Sequence, residues 1–300
     1  MFENILGNQK TKEILERTII SNRASHSYMF IGQEGIGKKI IAKEFAKAIL
    51  CLDENKHNQS SYCDKCKSCI EFSSNNNPDF IYLEPEETKI KIDQIRNMQI
   101  KVAEKPIISQ NKVYIIDDAD TMTNEAQNCL LKTLEEPPEY VTIILIGKNE
   151  ENFLTTIKSR CTKIYFDKIS NEELKKYLET NNIQNVSDEL LEMADGSIKK
   201  LLEITENEES YYSIENIINK LDKCDIIEIL NEAVNLYKSK DTINSILENI
   251  NIMLLKKSKT NFKFAKCIKI VEETKKRLKS NSNYDMCIDN LLFGMWREVN

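Results

Sequence analysis

The chain has 300 residues, 41% hydrophobic and 30% charged, with a formal charge of −6. That length gives two or three domains, each with ample core, and the negative balance excludes a global electrostatic pull toward nucleic acid while leaving a local basic patch open. Seven glycines and five prolines point to long helices and short loops and argue against an all-β fold. No apolar run approaches the ~18 residues of a membrane span. The opening MFENILGNQK lacks the basic flank and apolar core of a secretory signal. A soluble, cytoplasmic chain with no membrane attachment is the expectation. In that setting nine cysteines are expected to be reduced or metal-bound, not paired as disulfides.

Residues 8–21 carry Ile14, Leu15, Thr18 and Ile19 at helical spacing. Residues 25–31 read as a loop feeding a buried strand. The stretch YMFIGQEGIGKK, residues 28–39, then puts Gly32, Gly35 and Gly37 ahead of Lys38. Strand, glycine loop and helix is the context of a phosphate-binding loop, and G-x-x-x-x-G-K is complete from Gly32 to Lys38. Glycines let backbone amides point at anionic oxygens, the next helix adds its positive end, and Lys38 reaches the outer phosphates. The following position should be Ser or Thr, whose hydroxyl holds magnesium. It is Lys39. A tight strand-to-helix turn with chance glycines is the bland alternative.

The helix over 38–50 presents Ile41, Phe45, Ala48 and Ile49 on one face, and 51–77 reads as polar and irregular. Within it Cys51, Cys63, Cys66 and Cys69 have the spacing of a tetrahedral, structural zinc site. Free thiols in a floppy insertion are the alternative. His57 lies in the same insertion, but four cysteines suffice; His26 reads as structural. A strand over 79–83 precedes a helix over 92–103 with Ile95, Met98, Ile100 and Val102. The strand over 112–116 runs into Asp117, Asp118 and Asp120. Asp117 suits the metal side of a nucleotide site and Asp118 the water-polarising side, or the acids simply end the strand and cap the next helix. A helix over 124–136 stops at Pro137-Pro138, and strands follow over 141–146 and 163–166. This alternation implies a mainly parallel sheet covered on both faces.

After Asp167 the patterning is helical throughout. Ser170, with Glu172 and Glu173 behind it, fits an N-cap. Short helices follow over 187–194 and 198–203, with an exposed charged junction over 206–210 and roughly five helices from 211 to the end. Cys129, Cys161, Cys224, Cys267 and Cys287 read as packing residues. Phe293 and Trp296 read as core before partner anchors.

Several stretches together resemble the clamp-loader branch of the AAA+ ATPases: FENILGNQ, HSYMFIG, KIDQIR, NEAQNCLLKTLEEPPEYVTIILIG and Ser159-Arg160-Cys161. The resemblance implies an α/β AAA+ domain over 1–167 with a five-stranded parallel sheet and a zinc module at 51–69. A helical lid over 168–207 and a helical collar over 208–300 would follow. It implies that Arg160 acts in trans as an arginine finger on a neighbour's ATP. Lys39 then points to the delta-prime type within that branch, whose loop is degenerate. Lys199 stands where motor subunits carry a sensor arginine, and lysine lacks bidentate phosphate geometry.

The expected function is therefore a non-hydrolysing stator of the DNA polymerase III clamp loader. Its expected partners are gamma/tau-type motor subunits and a delta subunit, with the sliding clamp and primer-template DNA reached through the complex. Whether ATP or ADP binds this chain stays open. The rivals are an active AAA+ ATPase using Lys38 and Asp117, and a zinc-stabilised DNA-binding module.

Overall fold

A computed structural model of the chain describes residues 1–2, 5–55, 61–183, 186, 188–206, 208–280 and 282–300. Its contacts divide it into two units, residues 1–182 with 196–198, and residues 183–195 with 199–300.

The first unit is built on five strands: β1 Ser27–Ile31, β2 Phe80–Leu83, β3 Lys112–Ile116, β4 Val141–Gly147 and β5 Thr162–Tyr165. They lie in the order β2-β3-β4-β1-β5, and every pairing is parallel. Strands β1, β3 and β4 are buried along their whole length. Helices cover both faces of a parallel sheet, so its central strands need unbroken apolar runs. The edge strands β2 and β5 are only partly buried.

The crossovers carry α1 Gln9–Ser21 before β1, then α2 Lys38–Leu50 and α3 Lys67–Ser73 between β1 and β2. Next come α4 Ile92–Val102, α5 Asn124–Glu135, α6 Thr155–Lys158 and, after β5, α7 Asn171–Thr180. On one face Met29, Ile31, Tyr114, Ile143 and Leu145 pack with Ile95 and Met98 of α4 and Leu130 of α5. Tyr28 points the other way, edge-on to Phe45 of α2 with ring centroids 5.3 Å apart. The pleat alternates, so neighbours on β1 serve opposite layers. From β1 the chain crosses to the far edge at β2, returns through β3 and β4, and ends beyond β1 at β5. The carboxyl ends of β1, β3 and β4 therefore open together at the switch point, where α/β sheets hold their ligands.

α2 and β3 fall where the sequence puts them, and most other boundaries differ by one or two residues. Some expectations need correction. The stretch expected to be irregular contains α3, whose N-cap Cys66 accepts a hydrogen bond from the Cys69 amide, so local cysteine geometry starts a helix that composition hides. Ile14 and Ile100 are 49% and 66% exposed. The buried stripes run through Leu15 and Ile19, and through Ile95, Met98 and Val102, which leaves those two isoleucines off the face.

The second unit is helical among its described residues: α8 Asp188–Ala194, α9 Ile198–Glu206 and α10 Glu208–Lys220, then α11 Ile226–Glu232, α12 Val234–Lys238, α13 Ile243–Ser258, α14 Lys263–Lys279 and α15 Tyr284–Val299. Of the junction expected over 206–210, Glu206 belongs to α9 and residues 208–210 to α10, while residue 207 lies outside the described residues. From Glu208 onward six helices stand where roughly five were expected, because Ala233 ends α11 and caps α12. Ser187 lies outside the described residues. Ser170 does cap α7, in a reciprocal capping box with Glu173. Among the described residues no helix is long and apolar enough to cross a membrane. None of the nine cysteines forms a disulfide.

Candidate functional site

The glycine loop leaves β1 at Gly32 and enters α2 at Lys38. Gly35 and Gly37 have φ of 79° and 93°, a region that L side chains rarely adopt. Gly32 is needed for another reason: a Cβ there would stand 2.8 Å from the Phe166 carbonyl oxygen. Lys38 is buried, and its Nζ donates to the Gly32 and Gln33 carbonyls at 2.6 Å each. Burial lowers its pKa, with Asp118 pulling the other way. The Gly35 carbonyl accepts from the Ile198 amide at 3.0 Å. Gly196, in the same unit, has φ of 77°, and a Cβ on it would strike Lys168 at 2.6 Å.

The aspartates arrive from β3. Lys39 Nζ lies 3.3 Å from Asp117 Oδ2. The Tyr82 hydroxyl donates to the same carboxylate oxygen, and Lys39 Nζ stands 4.5 Å from the Tyr82 ring centroid. Burial, then this hydrogen bond, raises the Tyr82 pKa, so the phenol remains a donor. Asp118 takes a left-handed φ of 44°. Burial raises its carboxyl pKa, opposed by Lys148. Lys148 bridges Glu34 at 2.6 Å and Asp118 at 3.6 Å. Asp120 accepts from the Asn149 amide at 3.2 Å through Oδ2, while its buried Oδ1 has no partner among the described residues.

The structure thus brings Gly32, Gly35, Gly37, Lys38, Lys39, Asp117 and Asp118 to one end of the sheet. Tyr82, Glu34 and Lys148 were missed. Lys148 follows the apolar β4 run directly, but that position means little until β4 is known to flank β1. Lys199 belongs to the second unit and pairs with Glu203 at 3.9 Å within α9.

Arg160 sits between α6 and β5. Its carbonyl accepts from Ser27 Oγ of β1 at 2.6 Å, which pins the backbone. Its guanidinium donates to the Thr156 carbonyl at 2.8 Å and pairs with Glu135 Oε1 of α5 at 2.9 Å. The side chain stays 34% exposed. In the same triplet Ser159 Oγ bonds the Thr156 carbonyl and Cys161 is buried in the core. Glu135, from the LEEPP stretch, is the partner that sequence reading did not pick out.

The four cysteines of the insertion gather with all their sulfurs within 4.8 Å of one another. Cys51 and Cys63 Sγ are 3.7 Å apart. Tetrahedral zinc with thiolates at ~2.3 Å sets sulfurs about 3.8 Å apart, so the set fits that ion. Amides of Leu52, Cys66 and Cys69 donate to the Cys66 and Cys63 sulfurs at 3.3–3.5 Å, support of the kind metal ligands receive, while burial pushes the Cys51 and Cys69 thiols up. Burial opposes ionisation of Cys63, but the Lys65 and Cys66 amides and neighbouring thiols bring it down to about 7. Lys47 of α2 ties the loop down through Asp64 at 2.5 Å and the Tyr62 ring at 4.1 Å. His57 lies outside the described residues. His26 Nδ1 is 3.3 Å from the Val141 carbonyl, a structural contact.

Behind the cysteines, fully buried Asp79 accepts from the amides of Ile107, Ile108 and Ser109 at 2.7 Å each. Asn77 Nδ2 donates to the Ser68 carbonyl of α3, and Ser109 Oγ to the Leu50 carbonyl of α2. Asn77 and Asp79 thus anchor this network.

The family described as "DNA polymerase III, delta subunit" matches residues 7–170. The chain is 31% identical over 200 residues to the DNA polymerase III subunit delta' of Bacillus subtilis, covering 67% of this chain and 60% of that protein. It is 33% identical over 198 residues to the DNA polymerase III subunit gamma/tau of Mycoplasma pneumoniae, covering 65% of this chain and 28% of that protein. The match thus spans less than two thirds of either relative. A solved DNA polymerase III gamma subunit-related protein from Thermotoga maritima has the same fold, with TM-score 0.59, 19% identity, and coverage of 97% of this chain and 100% of that one. With the five-stranded parallel sheet and its glycine loop already in place, the chain belongs to the DNA polymerase III delta subunit family, among the clamp-loader subunits of that polymerase.

Proposed function

We propose that this chain is a stator subunit of a DNA polymerase III clamp loader, which hydrolyses no ATP itself and lends Arg160 to a neighbouring ATPase subunit. One contrast carries the reading. The chain's own site carries Lys39, paired with Asp117, where a metal-holding hydroxyl belongs, whereas Arg160, paired with Glu135, is an arginine whose side chain stays 34% exposed. Productive hydrolysis needs a metal ligand after the loop lysine, and Lys39 cannot be one. A guanidinium reaching a neighbour's γ-phosphate neutralises charge that develops there as the bond breaks.

The partners that follow are gamma/tau-type motor subunits and a delta subunit, with the sliding clamp and primer-template DNA engaged through the assembly. Residues 1–167 would form the AAA+ domain, 168–207 the lid and 208–300 the collar. Zinc at Cys51, Cys63, Cys66 and Cys69 would order the insertion and take no part in chemistry, because four thiolates close its coordination. The test is co-assembly with gamma/tau-type and delta subunits, followed by DNA-stimulated ATPase with and without this chain. Assembly that needs the chain, and turnover that rises when it joins, supports the role. Equal turnover without it contradicts the role.

A second reading is an active ATPase subunit, favoured by the preserved glycine geometry and the 33% identity to a gamma/tau subunit. It requires the chain alone to hydrolyse ATP, on the order of 1 s⁻¹, and Lys38→Ala to abolish that rate.

A further inference from the structure

We infer that the Lys39 ammonium is the built-in cation of this phosphate-loop site: it takes the place of a divalent metal beside Asp117, so the site neither recruits such a metal nor responds to one. The inference goes beyond the stator reading and does not involve Arg160.

Three contacts define the position. The ammonium is 3.3 Å from Asp117 Oδ2 and 4.5 Å from the centre of the Tyr82 ring, and the Tyr82 hydroxyl donates to the same aspartate oxygen. An anionic carboxylate and the negative face of an aromatic ring therefore both serve one cation. Lys39 is the first residue after Lys38, the position from which a hydroxyl would hold magnesium in a nucleotide site. Magnesium demands oxygen ligands at 2.0–2.1 Å in near-octahedral array. An ammonium offers no lone pair, so the metal loses a direct ligand. A positive charge held within hydrogen-bond reach of Asp117 also repels any second cation there. The residues present do not fit a divalent ion, and the misfit has one cause.

Two further lysines of the site are also engaged within the protein, while among the described residues Asp120 is met only by the Asn149 amide. Lys148 bridges Glu34 and Asp118, and Lys38 lies on the Gly32 and Gln33 carbonyls. Only at Lys39 does a cation replace a residue type that would ligate. A threonine there restores the hydroxyl and removes the competing charge in one change. The side chain is 45% exposed at the start of α2, so the exchange disturbs no core.

The experiment uses the full chain, manganese as the probe metal and ADP as the nucleotide. Calorimetry measures ADP binding with Mn²⁺ and with EDTA, and electron paramagnetic resonance follows bound Mn²⁺. For the wild-type chain, ADP binding, strong or weak, should agree within about twofold between the two conditions, with no protein-dependent loss of the Mn²⁺–ADP signal. Lys39→Thr should bind ADP at least roughly tenfold more tightly with Mn²⁺ than with EDTA, and Lys39→Thr/Asp117→Asn should lose that gain. Thermal melts verify that the variants fold, and Lys39→Ser repeats the test with a smaller side chain. A wild-type chain whose ADP binding depends on Mn²⁺ overturns the inference. So does a folded Lys39→Thr that ignores Mn²⁺, or a gain that survives the loss of Asp117. If Lys39→Thr gains manganese dependence while the Arg160 reading fails in the assembled complex, this inference stands and the stator reading falls.

Discussion

Arg160 illustrates how much a single residue depends on its setting. Its backbone is pinned by Ser27 and its guanidinium by Thr156 and Glu135, so a long, rotamer-rich side chain is held near one conformation. The guanidinium has five donors, and these contacts use only its two terminal nitrogens, leaving further N–H groups for a phosphate. Glu135→Ala should therefore lower the turnover of the assembled complex by about 2- to 10-fold with its KM for ATP little changed, since it loosens the arginine without removing it. Steady-state kinetics with varied ATP checks this, and an unchanged turnover number would show that Glu135 does not position the arginine. Lys38→Ala, in contrast, should leave turnover of the complex within about twofold, because on the proposed stator reading the site it serves does not hydrolyse ATP. At this scale the sequence was informative wherever a motif lay in one short run: the glycines, Lys38, Lys39 and the aspartates all converge. Tyr82, Glu34 and Lys148 escaped because they meet only when β1, β2, β3 and β4 are set side by side, and no spacing along the chain encodes that.

At the scale of an element, the cysteine insertion is legible through its ligands and illegible through its helix. The spacing of Cys63, Cys66 and Cys69 stands out, whereas α3 is seven residues long and follows polar, turn-forming sequence. Its first turn is fixed by sulfur acceptors, which propensity does not register. Protein purified without chelator should carry one zinc per chain, measured by plasma emission. Chelation, or Cys66→Ala, should release it and make the thiols of the cluster reactive toward a colorimetric disulfide reagent. Retention of full metal by Cys66→Ala would rule out the four-cysteine site. The buried carboxylate of Asp79 poses a separate demand. Three amides point at it, and Asp79→Ala leaves them unmatched. A loss of about 2–5 kcal/mol is expected from stranding buried donors, read as a lower urea midpoint for the first unit. A variant as stable as wild type would show that water replaces the carboxylate.

Over the whole molecule, the change from alternating strands and helices to helices alone is visible in the hydrophobic periodicity. The sheet order is not, because parallel strands paired through long crossovers leave no local mark of which neighbour they choose. Strand order decides which loops share the open end at β1, and hence why a glycine loop, an aspartate pair and Lys148 form one site. The family match covers residues 7–170 and leaves most of the second unit to be read from its own packing. The helices there bury Ile246, Leu254, Val271, Leu291 and Met295, as their apolar stripes require. Trp296 is partly buried and donates to the Cys224 carbonyl at 2.9 Å, whereas Phe293 is 51% exposed, so the core reading fails for Phe293, which lies off the buried stripe of Leu291, Leu292 and Met295.

The claim that this chain completes a neighbour's ATPase is tested most directly by the DNA-stimulated ATPase of the reconstituted clamp loader, assembled with wild-type chain or with Arg160→Ala. An arginine finger contributes roughly 10³-fold or more at the site it serves. The account predicts that the variant complex assembles normally and loses that site's whole share of turnover. Turnover equal to wild type, in a complex of the same composition, would contradict it.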